Sequence, residues 1–295
     1  MNESSQVPPG RLLEIAVSAA HAAGDLLASQ DGRVAVAATK SSPTDVVTEM
    51  DRRSEELITS QILGERPGDA VLAEEGGESA NGSGPGAVRW VIDPLDGTVN
   101  YLYGLPDWAV SIAAEVSGQV VAGVVHLPRR GETFTATLGG GAWLADGSWG
   151  APVALRSRPG APLSQALVAT GFGYKAERRK VQGEVVAALL PRVRDIRRGG
   201  VASIDLCSVA AGRVDAYYER GLNYWDYAAG ALIAAEAGAV VAGLSGTPGE
   251  PGPPSPSMTI AAPPPLFAEL SAALAALKPE RALFLSGLRH PPRAA

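Results

Sequence analysis

The sequence predicts a mixed fold, α+β in its first half and α/β in its second, on three observations. Two early stretches carry apolar residues at helical spacing. From residue 70 the chain breaks into short runs rich in Val, Ile and Trp, separated by Gly, Asp and Pro. Beyond residue 150 such runs alternate with helical patterns, as in an α/β unit. A lobe boundary is therefore expected near residue 150, with an N-terminal lobe over 1–150 and a C-terminal lobe over 151–295.

After Pro8-Pro9-Gly10, the spacing of Leu12, Ile15, Ala16, Ala19, Ala23, Leu26 and Leu27 predicts a helix over 11–29. Leu57, Ile58 and Ile62 predict a second over 51–63, stopped by Pro67-Gly68. Strands are expected at AVLAEE, VRWVID, WAVSIAAEV, QVVAGVVHL and ETFTAT, with Ser117-Gly118 turning an antiparallel hairpin. In the second half, ALVATGF (166–172) and DAYYE (215–219) read as strands, and helices are expected near 176–190, 201–212 and 225–237. The proline-rich stretch 247–257 reads as a surface loop and 287–295 as a loose tail.

With 46% hydrophobic and 19% charged residues, the chain can bury a large core and lacks the signature of disorder. Its net charge of −6 makes nucleic acid an unlikely main partner, and a phosphorylated ligand would need bound cations or a local Lys/Arg cluster. Cys207 is the single cysteine, so no intramolecular disulfide can form. Without an apolar leader or an 18-residue apolar run, the expectation is a cytoplasmic protein that does not enter membranes.

Acidic residues carry the chemistry. Asp51 falls where the second helix starts and Asp226 follows Trp225 at the start of a later helix; each also suits a plain N-terminal cap. Glu74-Glu75-Gly76-Gly77 ends an apolar strand, which alone reads as a solvated loop. More specific is Asp93-Pro94-Leu95-Asp96-Gly97-Thr98: Pro94 fixes one dihedral, Gly97 permits close approach, and Asp93, Asp96 and the Leu95 carbonyl can face one point. Hard cations such as Mg2+ take that oxygen set. Acids meeting in one cleft repel each other, so bound metal is close to a requirement. No HExxH, GxSxG or GxxxxGK[ST] pattern competes, and His21 and Cys207 read as structural.

WVIDPLDGTVNYLYGLPDWAVSIA and WDYAAGALIAAEAGA, preceded by KSSPTDVVTEMD and AEEGG, resemble the signatures of the inositol monophosphatase family over about residues 11–275. The resemblance implies a layered α-β-α-β-α sandwich of two lobes with the active site between them, in a homodimeric, lithium-sensitive, Mg2+-dependent phosphatase. It implies Glu74, Asp93, Leu95, Asp96 and Asp226 as metal ligands, and Asp51 beside a third, weaker ion. Thr98 would pair with Glu74 to activate water. Gly97 and Thr98 amides would take phosphate oxygens, and Asp96, Ala202, Glu219 and Asp226 would contact substrate hydroxyls. Lys40 matches a basic residue near the metals, and Glu75 adjoins the first ligand. Val201 stands where a small polar residue is usual, on the substrate side. The implied substrate is inositol 1-phosphate, with histidinol phosphate, fructose 1,6-bisphosphate or 3′-phosphoadenosine 5′-phosphate as alternatives within the class. A non-catalytic regulator that binds RNA or a transcription partner is the alternative outside it.

Overall fold

The computed structural model describes residues 7–29, 36–39, 46–79, 87–147, 151–244 and 251–277. In chain order the elements are α1 (Pro9–Ala28), β1 (Val36–Thr39), β2 (Val46–Thr48), α2 (Glu49–Glu65), β3 (Ala70–Ala73), β4 (Gly77–Glu78), β5 (Val88–Asp96), α3 (Thr98–Leu102), β6 (Ala109–Val116), β7 (Gln119–Leu127), β8 (Glu132–Thr137), β9 (Gly141–Ala145) and β10 (Val153–Ala154). They continue with β11 (Leu167–Thr170), α4 (Ala176–Leu189), β12 (Asp195–Arg197), α5 (Ala202–Ala210), β13 (Ala216–Glu219), α6 (Tyr224–Glu236), β14 (Val240–Ala242), β15 (Thr259–Ala262) and α7 (Pro264–Leu277).

Beside the short β1–β2 pair stand two sheets, one of eight strands in the order β10-β9-β8-β7-β6-β5-β3-β4 and one of five in the order β12-β11-β13-β15-β14. The apolar stripes of α1 and α2 pack on one face of the large sheet, against Trp90 and Ile92. Helices α5 and α6 pack on its other face, against Val91, and also against Tyr217 and Ala261 of the small sheet. Helices α4 and α7 close the far side of the small sheet. The layers therefore run α-β-α-β-α, as the family resemblance implies.

Strand periodicity builds this directly. On β7, Gly123 faces one layer, where a Cβ would press within 3.1 Å of Ala229 of α6. His126 faces the other layer, where only the missing side chain of Gly24 lets α1 come so close. The hairpin expected at Ser117-Gly118 joins β6 to β7, with φ of 53° and 79° at its two residues. Elements not read from the sequence are β1, β2, β4, β9, β10, β12, β14, β15, α3 and α7. Most are very short, and α7 starts inside a proline run, where Pro suits the first turn of a helix although it reads as loop. Of the stretch 247–257, residues 247–250 lie outside the described residues, as does 287–295. No described helix is long and apolar enough to cross a membrane.

Candidate active site

Strand β5 sets the site. Its ladder with β6 runs regularly to the pair Asp93–Ser111 and then shifts register before Asp96, because Pro94 has no N–H to donate. Asp93 shares the strand face of Val91, the face covered by α6. Ser54 of α2 donates to the Pro94 carbonyl at 2.8 Å and fixes the turn from behind. Strand β3 runs parallel to β5, pairing Ala73 with Ile92, and the Glu74 N–H reaches the Ile92 carbonyl at 3.3 Å. Parallel register thus sets Glu74 beside Asp93.

A cavity of about 400 Å³ opens over this turn, and Glu74, Asp93, Leu95, Asp96, Gly97 and Thr98 line it together with Ala202, Glu219 and Asp226. Four separate stretches of chain deliver these acids to one hollow. Burial, then the charges of Glu74, Asp96 and Asp226, push the Asp93 carboxyl well above its usual range. Asp226 is raised by burial and by Glu74 and Asp96. Burial lifts Asp96 to about 6 and Glu219 to about 7. A set of carboxylates so crowded favours the arrival of protons or cations.

Each acid is also held by the protein. Ser203, at the start of α5, donates to Asp96 Oδ2 from its N–H at 2.8 Å and its hydroxyl at 2.6 Å. The Leu95 N–H donates to Asp93 Oδ1 at 3.1 Å, the Asn223 N–H to Asp226 Oδ2 at 2.7 Å, and the Tyr217 hydroxyl to Glu219 Oε2 at 2.8 Å. Among the described residues no three His, Cys, Asp or Glu side chains stand grouped as ready ligands of one ion. The donor set nevertheless fits a hard divalent cation: it consists of oxygen only, carboxylates and one carbonyl, and is short of positive charge at its floor.

Asp51 is fully buried behind the lining. The Thr48 N–H donates to its Oδ2 at 2.8 Å, and the Thr98 hydroxyl donates to its Oδ1 at 2.8 Å. The Thr98 hydroxyl is thus braced by Asp51, because the N-terminus of α2 sits directly behind the β5 turn, while Thr98 and Glu74 both line the cavity. Asp51 therefore meets the cavity through Thr98. Glu75 lies off the lining, its N–H donating to Glu55 at 2.8 Å. Lys40 lies outside the described residues. Val201 is buried beneath Gly97, where its Cγ2 would stand 2.8 Å from a Cβ; it supports the turn and does not line the cavity. Cys207 is buried in α5, and burial holds its thiol protonated.

Several site residues escaped the sequence reading. Ser203 and Tyr217 orient Asp96 and Glu219, and Lys175, Arg178 and Arg198 add positive charge to the cavity wall. Only Gly199-Gly200 after Arg198 hints at the latter in the sequence.

A layered sandwich with an acid-lined cleft over a strand-turn-helix motif defines the class of protein by its fold and its carboxylate site. Residues 10–279 match the model of the inositol monophosphatase family, and the chain belongs to that family. It is 52% identical over 213 residues to "Inositol-1-monophosphatase SuhB" of Mycobacterium tuberculosis, covering 72% of each chain. It is 41% identical over 232 residues to "Nus factor SuhB" of Escherichia coli K12, covering 78% of this chain and 84% of that one. Among solved structures, the Thermotoga maritima IMPase superposes with a TM-score of 0.79 at 30% identity, over 92% of this chain and 99% of that one.

Proposed function

We propose that the protein hydrolyses a small phosphate monoester with Mg2+, and that inositol 1-phosphate is the first substrate to test. The observation that carries this is the gathering of Glu74, Asp93, Asp96 and Asp226 around one cavity, with the Asp93 and Asp226 carboxyls raised by burial and by the neighbouring acids, and Asp96 raised by burial. Those side chains and the Leu95 carbonyl would hold the ions. Bound there, Mg2+ would offset the carboxylate charge, polarise the phosphate and make water a stronger nucleophile.

The chain's own groups do the positioning. Asp51 takes the Thr98 hydroxyl proton into a hydrogen bond, leaving the Thr98 oxygen lone pairs to accept from a water and aim it at phosphorus. Gly97 and Thr98 line the cavity, and their amides would be donors for phosphate oxygens; α3 has five residues, so they would act as local groups. Ser203 fixes Asp96, and Tyr217 occupies one Glu219 oxygen so that the other can meet a hydroxyl of the departing alcohol. Phosphate release with Mg2+ tests the reading: Asp93→Asn should abolish it, and retained activity would refute the site.

A second reading, a role beside transcription machinery, is favoured by the 41% identity to a protein named a Nus factor. If an Asp93→Asn protein fully restores a deletion strain, the regulatory role is the main one. A homodimer in the cytoplasm fits both readings, and sedimentation measures the assembly.

A further inference from the structure

We propose that the protein carries a second anion site, apart from the catalytic cavity, which takes inorganic phosphate between Arg158, Arg194 and Asp215. The site stands independently of the phosphatase reading, although free phosphate is the ion that such a reaction would release.

Three parallel strands of the small sheet, in the order β12-β11-β13, have a cavity at each end. At their C-terminal ends, Phe172, Arg198 and Glu219 line the catalytic cavity. At their N-terminal ends, Gln165, Arg194 and Asp215 line another of about 380 Å³, together with Arg158 from the loop after β10. The two cavities share no lining residue.

Arg158 and Arg194 are anchored in the same way. Each spends its Nε–H on a main-chain carbonyl, that of Gly212 at 2.6 Å for Arg158 and that of Gln165 at 2.8 Å for Arg194. Among the described residues neither makes another hydrogen bond or an ion pair, which leaves the Nη donors of both open. Elsewhere Arg66, Arg89 and Arg130 each hold a carboxylate. Arg213, the third cation of this wall, gives both its Nη groups to Glu132. In a chain of net charge −6, two half-used guanidinium forks in one hollow are a recognition element for an oxyanion.

Asp215 narrows the choice of anion. It is buried, and its Oδ2 accepts the Leu167 N–H at 2.8 Å. Its other oxygen has no hydrogen bond among the described residues. A carboxylate beside an anion weakens binding unless the anion brings it a proton. Hydrogen phosphate brings one and sulfate does not, while a phosphate monoester, with its second pKa at about 6, has lost its proton by about pH 8. Two forks for the bare oxygens and one carboxylate for the P–O–H therefore select inorganic phosphate. The cavity is larger than the ion, which leaves space for bridging water.

Calorimetric titration of the full chain in EDTA at about pH 8 tests this, with inorganic phosphate, sulfate and ribose 5-phosphate as probes. Phosphate should bind at least about 10-fold more tightly than either of the others, and Arg158→Ala and Arg194→Ala should each weaken it by about 10- to 100-fold. Both side chains are exposed, so these variants should melt with the wild type. Asp215→Asn keeps an oxygen for the Leu167 N–H and should erase the preference for phosphate over sulfate. No binding of phosphate, equal affinity for sulfate, or equal or tighter binding of ribose 5-phosphate would overturn the proposal. Binding that Arg178→Ala weakens and Arg158→Ala leaves intact would overturn it too, since the ion would then sit in the catalytic cavity. Catalysis enters none of these readings, so failure of the phosphatase reading shows separately, as absent phosphate release with Mg2+.

Discussion

Two helices enter the cleft with the same local device, and only one of them arms it. At the start of α2 the Thr48 N–H donates to Asp51 at 2.8 Å, and at the start of α6 the Asn223 N–H donates to Asp226 at 2.7 Å, each acid being the third residue of its helix. Asp51 spends its other oxygen on Thr98 and is fully buried. Asp226 lines the cavity, and no hydrogen bond to its other oxygen is seen among the described residues. An identical cap thus serves as a brace in one place and as an open oxygen in the other. What differs is the surrounding charge, since Glu74 and Asp96 press on Asp226.

The sharpest way to break this comparison is to neutralise both acids. Asp226→Asn keeps an oxygen for the cap, so the metal-free protein should melt no lower than wild type, while Mg2+-dependent phosphate release falls by about 10²–10³-fold. Asp51→Asn should do the reverse: it disrupts a buried network, costing about 1–3 kcal/mol, with a smaller loss of activity. Thermal melts in EDTA beside a phosphate-release assay measure both. If Asp226→Asn melts well below wild type, the distinction is wrong.

pH gives the next largest effect. Asp96 and Glu219, raised to about 6 and about 7, bind protons in the folded state that the unfolded chain sheds near pH 4. Their stabilisation is complete below about pH 4 and is lost as pH rises through 6 to 7. His126 opposes them: burial and then His21 lower it to about 4, so stability is lost as pH falls from about 6.5 towards 4. The carboxylates outnumber the histidine, so metal-free protein should gain a few kcal/mol between pH 8 and pH 5. With Mg2+ that slope should flatten or reverse, because protons then compete with the ions. Melting temperatures across pH, with and without Mg2+, measure this. The smallest effect is expected from Ser203→Ala, which removes the hydroxyl bond to Asp96 and leaves the backbone ones: about 1 kcal/mol of stability and about tenfold in kcat/KM.

Much of this was legible in the sequence. The helices over 11–29 and 51–63 and the strands QVVAGVVHL and ETFTAT follow from spacing alone, since a face that must be buried repeats with the period of its element. Asp93-Pro94-Leu95-Asp96-Gly97-Thr98 announced an oxygen-rich turn because proline and glycine leave the backbone few alternatives. Edge strands such as β10 and β12, of two and three residues, carry too little pattern to be seen.

Only the tertiary structure decided which acids share a hollow, that Thr98 answers to Asp51, that Ser203 and Tyr217 hold Asp96 and Glu219, and that three cations complete the wall. Local spacing fixes the direction a side chain takes from its own element. The partner it meets, and the charge it feels, depend on which distant element the packing of the layers brings opposite.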